Sequence, residues 1–281
     1  LLAVGMFGFN YGIEFTGGSI LEIEYPAGRP DVEELRTELA GLEWHGTQVQ
    51  ATGEKGYIVR TKPISDDERK VLISTVSGGD PSLIEIKRFD SIGPTIGAEL
   101  REKAWWAVGL VMLAIVLYVA FAFRGVSHPV SSWVYGFVAI VALLHDVVIP
   151  AGVYVVLGHY FIDAQIDALF ITAILTVLGF SVHDTIVVFD RTRENLKNRT
   201  WKEFRTTVGK SVEQTFARSI NTSLTVLIVT FVLYFVGGET TKNFALVLGV
   251  GILVGTYSSI FLGSPLLVAI EEWQRKKETR R

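Results

Sequence analysis

Charge is distributed along this chain in blocks. Residues 104–123, 219–238 and 243–270 contain no Asp, Glu, Lys or Arg. At about 1.5 Å of rise per residue, each is long enough as a helix to cross roughly 30 Å of hydrocarbon. Two more apolar segments, roughly 129–158 and 166–189, each hold a His-Asp pair, His145-Asp146 and His183-Asp184. The pattern predicts five complete spans, at 104–123, 129–158, 166–189, 218–236 and 243–270. Trp105 and Trp106 open the first, as interfacial residues do. Residues 1–9 are apolar but too short to span, and they lack the charged start and small-residue cleavage site of a signal peptide. They read as the second half of a transmembrane helix, 1–11, whose beginning precedes Leu1.

Between 12 and 103 the period changes. Leu21, Ile23 and Tyr25 alternate with polar residues, a strand pattern. Asp31 with Glu34 three residues later resembles a capping box. Val32, Leu35, Leu39 and Leu42 then line one helical face, with Gly41 near the stop. Strands are predicted at 47–52 and 57–61, joined by the GEKG of 53–56. Ser65 and Glu68 form a second capping box, opening a helix that runs to Ser77-Gly78-Gly79, and 83–90 closes the set as a strand. The order β-α-β-β-α-β predicts a split βαβ, ferredoxin-like sandwich. It contains no nucleophile–base pair and no ligand spacing, so it reads as a rigid binding or lever domain.

Composition sharpens this picture at two points. The 281 residues are 49% hydrophobic, with a mean hydropathy of +0.38, and the blockwise distribution makes this a polytopic membrane protein. The net charge of -3 conceals an asymmetry. Residues 191–218 hold Arg191, Arg193, Lys197, Arg199, Lys202, Arg205, Lys210 and Arg218 against Glu194, Glu203 and Glu213. The tail, 271–281, adds Arg275, Lys276, Lys277, Arg280 and Arg281. The positive-inside rule puts the 191–217 loop and the tail in the cytoplasm and the 12–103 domain outside. A solvated loop, or an amphipathic helix on anionic lipid, accounts for the basic segment better than a nucleic-acid site does. The absence of Cys excludes disulfides, thiolate chemistry and Cys-based metal sites.

Several motifs dissolve on inspection. Val208-Gly209-Lys210-Ser211 resembles the end of a phosphate-binding loop, but Phe204 stands where the first glycine is required. Gly251 and Gly255 form a GxxxG, whose expected role is close helix packing. Asn198-Arg199-Thr200 is a glycosylation tripeptide on the cytoplasmic side, where it has no meaning.

The polar residues inside the spans carry the chemistry. Asp184 lies about 9 Å inside the cytoplasmic end of its span at helical rise. An ionisable group at such depth usually faces a bundle interior or a water path. Two readings stand: a satisfied structural Asp near a helix end, or a proton or cation relay. Arg218 opens the next span from the same side, and Asn221, Thr222 and Thr225 follow it at helical spacing as one polar stripe. Acid and guanidinium are thus expected at similar depth on adjacent antiparallel helices. Asp146 and His145 sit deeper. Adjacent residues on a helix diverge by about 100°, which disfavours convergence of a His-Asp pair on a metal.

Four stretches now carry a resemblance over almost the whole chain: GIEFTGG at 12–18, SVHDTIVVFDRTREN at 181–195, RSINTS at 218–223 and GTYSSI at 255–260. The chain resembles the SecF family of membrane subunits of the bacterial Sec protein-export machinery, in the resistance-nodulation-division (RND) superfamily. The resemblance implies a polytopic α-helical membrane protein with a six-span RND-like bundle, its first span truncated here, and an α+β ferredoxin-like extracytoplasmic domain. It implies a bacterial plasma (inner) membrane location and a non-enzymatic role, in which a proton or sodium motive force promotes preprotein translocation. The implied partners are SecD (fused or separate), the SecYEG translocon, YajC and unfolded preprotein, with no cofactor beyond the transported ion. Asp184 and Arg218 fall on the family's ion-coupling positions, with His183, Asp146 and Thr222 as weaker candidates for the ion path. His183 departs from the Asn more often expected, and Thr241-Lys242-Asn243 lacks an acid that some relatives carry. Two rivals remain: an RND-type small-molecule or lipid exporter, which requires an apolar drug-sized pocket in its outer domain, and a structural scaffold, which tolerates loss of the Asp184 charge.

Overall fold

The computed structural model describes residues 2–44, 46–124, 129–160, 164–198 and 203–279. The elements in chain order are α1 (Leu2–Phe7), α2 (Ile13–Thr16), β1 (Gly18–Glu24), α3 (Val32–Ala40), β2 (Gln48–Thr52), β3 (Gly56–Thr61), α4 (Asp66–Val76), a 3-10 turn (Pro81–Leu83) and β4 (Glu85–Ile92). There follow α5 (Pro94–Ala122), α6 (Ser132–Tyr160), α7 (Ala168–Lys197), α8 (Phe204–Val236), α9 (Glu239–Ser258), a π-turn (Ser259–Gly263) and α10 (Ser264–Thr279). They form two compact units, one of Phe9–Trp105 with Leu157–Ala168, the other of Leu1–Gly8, Trp106–Val156 and Leu169–Arg281.

In the first unit the strands are ordered β2-β3-β1-β4, all neighbours antiparallel. With one helix after β1 and one after β3, this is the ferredoxin-like arrangement predicted. Alternation places Leu21, Ile23 and Tyr25 in a core with Leu35 and Leu39 of α3, Val59 of β3 and Leu72 and Val76 of α4. The Ser65–Glu68 capping box forms in both directions. At Asp31 the cap is simpler than predicted, because the carboxylate accepts from Glu33 N at 2.8 Å and no reciprocal bond from Glu34 forms. Leu83 belongs to the 3-10 turn, whose N-cap Asp80 accepts from Ser82 N, so β4 starts later than predicted and runs on to Ile92. Gly17, at φ 77°, is left-handed, and a Cβ there would lie 2.8 Å from Pro94 Cα. A Cβ on Gly97 would lie 2.7 Å from Gly17 N, so the first turn of α5 rests directly on the glycine turn of GIEFTGG. Ahead of that turn, Gly12 N donates to Ile166 O at 2.8 Å and Ile166 N to Asn10 O at 2.7 Å.

Among the described residues, five helical segments, most of whose length lies in the second unit, are long and apolar enough to cross a membrane. Several helices extend past the predicted spans. Helix α5 begins at Pro94 rather than 104, its charged first turns held by Lys103 Nζ to Glu99 at 2.6 Å. The stretch read as a basic loop, 191–217, is helical at 191–197 and again from 204, where α8 starts. Ion pairs one turn apart, Arg193 with Asp190 and Arg191 with Glu194, carry α7 past the apolar boundary. Hydropathy registers none of this, because a helix does not stop where its apolar face stops. Val208–Ser211 lies within α8, so the phosphate-loop fragment is no loop. Arg199, Thr200 and Lys202 of the basic segment, and Arg280 and Arg281 of the tail, lie outside the described residues, as does most of the glycosylation tripeptide. One end of this unit is packed by Phe123, Tyr135 and Phe189, with ring centroids 5.1–6.1 Å apart, and by Val208 and Leu267. The GxxxG packs as expected: a Cβ on Gly251 would overlap the Val177 side chain, and one on Gly255 would lie 3.0 Å from Ser181 Cβ.

Candidate functional site in the helix bundle

The close approach of α9 to α7 sets a register. Gly251 faces Val177, Gly255 faces Ser181, and one turn further Ser259 faces Asp184. Asp184 is 5% exposed. Its one side-chain hydrogen bond among the described residues comes from Ser259 Oγ, at 2.9 Å to Oδ2. Asp146 of α6 is wholly buried. Its Oδ2 accepts from Ser258 Oγ at 2.7 Å and from Ser181 Oγ, and its Oδ1 lies 2.8 Å from His145 Nδ1. The imidazole reaches back to its neighbour despite the 100° divergence of adjacent positions, while its ring lies 6.4 Å from that of Tyr257. Thr256 Oγ1 meets Ser223 Oγ of α8 at 2.5 Å. The 255–259 segment, at the end of α9 and the start of the π-turn, therefore holds hydroxyl links to α6, α7 and α8.

Electrostatics separate the two acids. Removing a carboxylate from water costs several kcal/mol, which hydrogen-bond donors offset only in part. Among the described residues Asp146 has three hydrogen-bonding partners and Asp184 one.

The predicted pairing of Asp184 with Arg218 is not formed here. Arg218 is exposed, and Asp184 has no ion pair among the described residues. The physical reason lies in the phase of α8. Its buried polar stripe is Ser211, Thr215, Ser219 and Ser223, and Arg218, one residue earlier than Ser219, points about 100° away. Asn221 and Thr225 are exposed with it, and half-buried Thr222 donates its Oγ1 to Arg218 O at 2.9 Å. His183 is exposed on α7. The serines 181, 258 and 259 escape a reading of sequence because isolated hydroxyls are common in membrane helices. The DRTREN stretch at 190–195 positions α7. Arg193 donates to Ala122 O at 3.2 Å and lies over the Phe123 ring, while Asn195 donates to Ser211 Oγ at 2.8 Å.

Fold and site define a polytopic helical membrane protein that buries carboxylates among serines and carries a ferredoxin-like α+β unit. Residues 73–273 match the family described as protein export membrane protein SecD/SecF, C-terminal, and residues 3–25 match the SecD/SecF GG motif. Protein translocase subunit SecF of Thermobaculum terrenum is 42% identical, over 96% of this chain and 86% of that one. SecF of Anaerolinea thermophila is 40% identical, over 98% and 89%. The crystal structure of SecDF, a translocon-associated membrane protein from Thermus thermophilus, superposes with a TM-score of 0.80 at 36% identity, covering 96% of this chain and 36% of the fused one. The chain belongs to the SecD/SecF family of protein export membrane proteins, and its role is in protein export.

Proposed function

We propose that this chain couples an ion gradient, of protons or of sodium, to preprotein translocation. Asp184 takes up and releases the ion, and Arg218 is its counter-charge in another arrangement of the helices. The observation that carries this reading is the burial of Asp184 with a single hydroxyl donor among the described residues. A carboxylate so placed is neutralised by a proton or a cation, or by a guanidinium brought within about 4–6 Å. Helix movements that exchange these partners load and release the ion. Each charge moved through the full membrane potential supplies roughly 2.3 kcal/mol per 100 mV. That biases a two-state element whose states differ by a few kcal/mol. Asp146, Thr222 and His183 are secondary members of the path.

The basic residues of 191–218 and of the tail support a cytoplasmic position for both in a bacterial inner membrane, with the α+β unit outside. SecD is the proposed partner, since relatives such as the SecDF of Thermus thermophilus join a SecF-like part to further chain. The resemblance extends the assembly to SecYEG, YajC and the emerging preprotein. A cavity in the α+β unit has a mixed lining, with Arg36, Glu43, Thr47 and Gln48 beside Leu39, Ala40, Trp44 and Val49; the family match, and not this cavity, favours protein export over a small-molecule exporter. The test is preprotein translocation into vesicles under an imposed proton gradient, and separately under a sodium gradient. Asp184→Asn should assemble normally and lose the gradient stimulation. An unchanged response to both gradients makes Asp184 structural.

A further inference from the structure

The motif GTYSSI contains two adjacent serines that the export reading leaves unused. Ser258 Oγ lies 2.7 Å from Asp146 Oδ2 and 3.0 Å from the carbonyl oxygen of Gly255, three residues back. Ser259 Oγ lies 2.9 Å from Asp184 Oδ2 and 3.0 Å from the carbonyl oxygen of Thr256, again three residues back. Each hydroxyl is thus held between a carboxylate and a backbone carbonyl, and it has one proton to donate.

We propose that Ser258 and Ser259 are positioning residues that convert the charge of Asp146 and Asp184 into a change of backbone hydrogen bonding at the π-turn of the last span. The proposal rests on the ion-coupling reading of Asp184 and deepens it. An ionised carboxylate only accepts, so the serine O–H donates its hydrogen bond to it and not to the carbonyl. A protonated carboxyl donates its own O–H to the serine oxygen. The serine proton then swings to the carbonyl of residue i−3. Protons balance: the incoming one stays on the carboxyl, and the serine keeps its own throughout.

The carbonyls of Gly255 and Thr256 lie in the last turn before the π-turn, where the helical ladder carries an extra residue. On its far side, Ser264 Oγ donates to Ser259 O at 2.9 Å, spanning the same interruption. Side-chain back-bonding bends helices, and π-turns concentrate at functional sites. Adjacent positions on one helix point about 100° apart, which is why Ser258 reads α6 and Ser259 reads α7. The groups facing the two acids are few. His145 of its own helix, Ser181 of α7 and Ser258 face Asp146; Ser259 faces Asp184; His183 and Arg218 are exposed.

The experiment is hydrogen exchange of residues 256–264 in the full chain with its partner subunit, followed across pH and corrected for intrinsic rates. Gradient-stimulated translocation is measured on the same preparations. The parent should show a pH-dependent step in protection. Asp184→Asn, whose amide donates as the protonated acid does, should hold the Ser259 branch in its acid pattern at every pH and leave only the step due to Asp146. Ser259→Ala should lose the Asp184-dependent step and the gradient stimulation, and Ser259→Thr, which keeps the hydroxyl, should restore both. If Ser259→Ala fails to assemble, Ser259→Cys, with its weak donor, takes its place with the same expected loss. Retention of the pH step and the gradient response in the Ala or Cys variant, while Asp184→Asn loses the response, overturns the serine proposal alone. Retention of the gradient response in Asp184→Asn overturns the ion-coupling reading, and the serine proposal with it.

Discussion

Replacing Gly251 by Ala tests the helix contact that organises the site. A Cβ at Gly251 would overlap one methyl of Val177 and lie 2.8 Å from the other. Unstrained carbon contacts sit at about 3.5–4.0 Å, so α7 and α9 must part or Val177 must leave its rotamer. Overpacking of this kind costs about 1–3 kcal/mol. Against it, Gly to Ala inside a helix gains up to about 1 kcal/mol in propensity. The clash therefore outweighs the propensity gain or nearly equals it, and a double-mutant cycle separates the two. Val177→Ala removes the methyls but leaves the propensity gain intact, so Val177→Ala with Gly251→Ala should show a favourable coupling of about 1–3 kcal/mol. Gly179→Ala is the control, because nothing lies within 4 Å of a Cβ there and only the gain remains. Equilibrium unfolding in detergent micelles, read for all variants, gives the cycle. Because Ser259 and Asp184 follow two turns on in the same register, Gly251→Ala should also lower gradient-driven export, which Gly179→Ala should not. If Gly251→Ala is stabilised as much as Gly179→Ala and shows no coupling to Val177, the close approach is refuted.

Three further outcomes follow from other parts of the chain. Ser65→Ala removes the cap of α4 and should destabilise the α+β unit by about 1 kcal/mol, read by protease susceptibility of the intact chain. Glu68 is held down from 4.5 to about 2, first by its hydrogen bond with Lys62 and then by the Ser65 backbone N–H. Its stabilisation is therefore complete above the unfolded value and is lost as pH falls from about 4.5 toward 2; Glu68→Gln should flatten the pH dependence of stability in that window and lower the stability at neutral pH. The chain has no native cysteine, so a single Cys at Lys55 should react with an impermeant thiol reagent from outside, and one at Lys197 only after permeabilisation; the reverse pattern would invert the topology.

What was legible in the sequence depended on how each burial decision is encoded. Leu21, Ile23 and Tyr25 face a core on one side and solvent on the other, so a period of two shows them directly. Asp146 and Asp184 stood out because charge within an apolar run is costly and rare. Helix ends were hidden, since Pro94–Lys103 and 204–217 are polar yet helical, held by local ion pairs that hydropathy ignores. The polar face of α8 was read one residue out of phase. Arg218, Thr222 and Thr225 and Ser211, Thr215, Ser219 and Ser223 both follow helical spacing, and packing, against α9 through Ser223 and Thr256 and against α7 through Ser211 and Asn195, selects between them. Ser259 had one available signal: it continues the Gly251–Gly255 spacing by a further turn, toward whatever the glycines pack against.

The central claim is that a buried carboxyl at Asp184 changes protonation when a gradient is applied. Infrared difference spectroscopy of vesicles holding the chain with its partner reads this directly, through the carbonyl stretch of a protonated carboxylic acid. The expected result is a band that grows or fades when a proton gradient is imposed and is absent from Asp184→Asn, while Asp146→Asn leaves it in place. A gradient-induced spectrum identical in the parent and Asp184→Asn contradicts the claim.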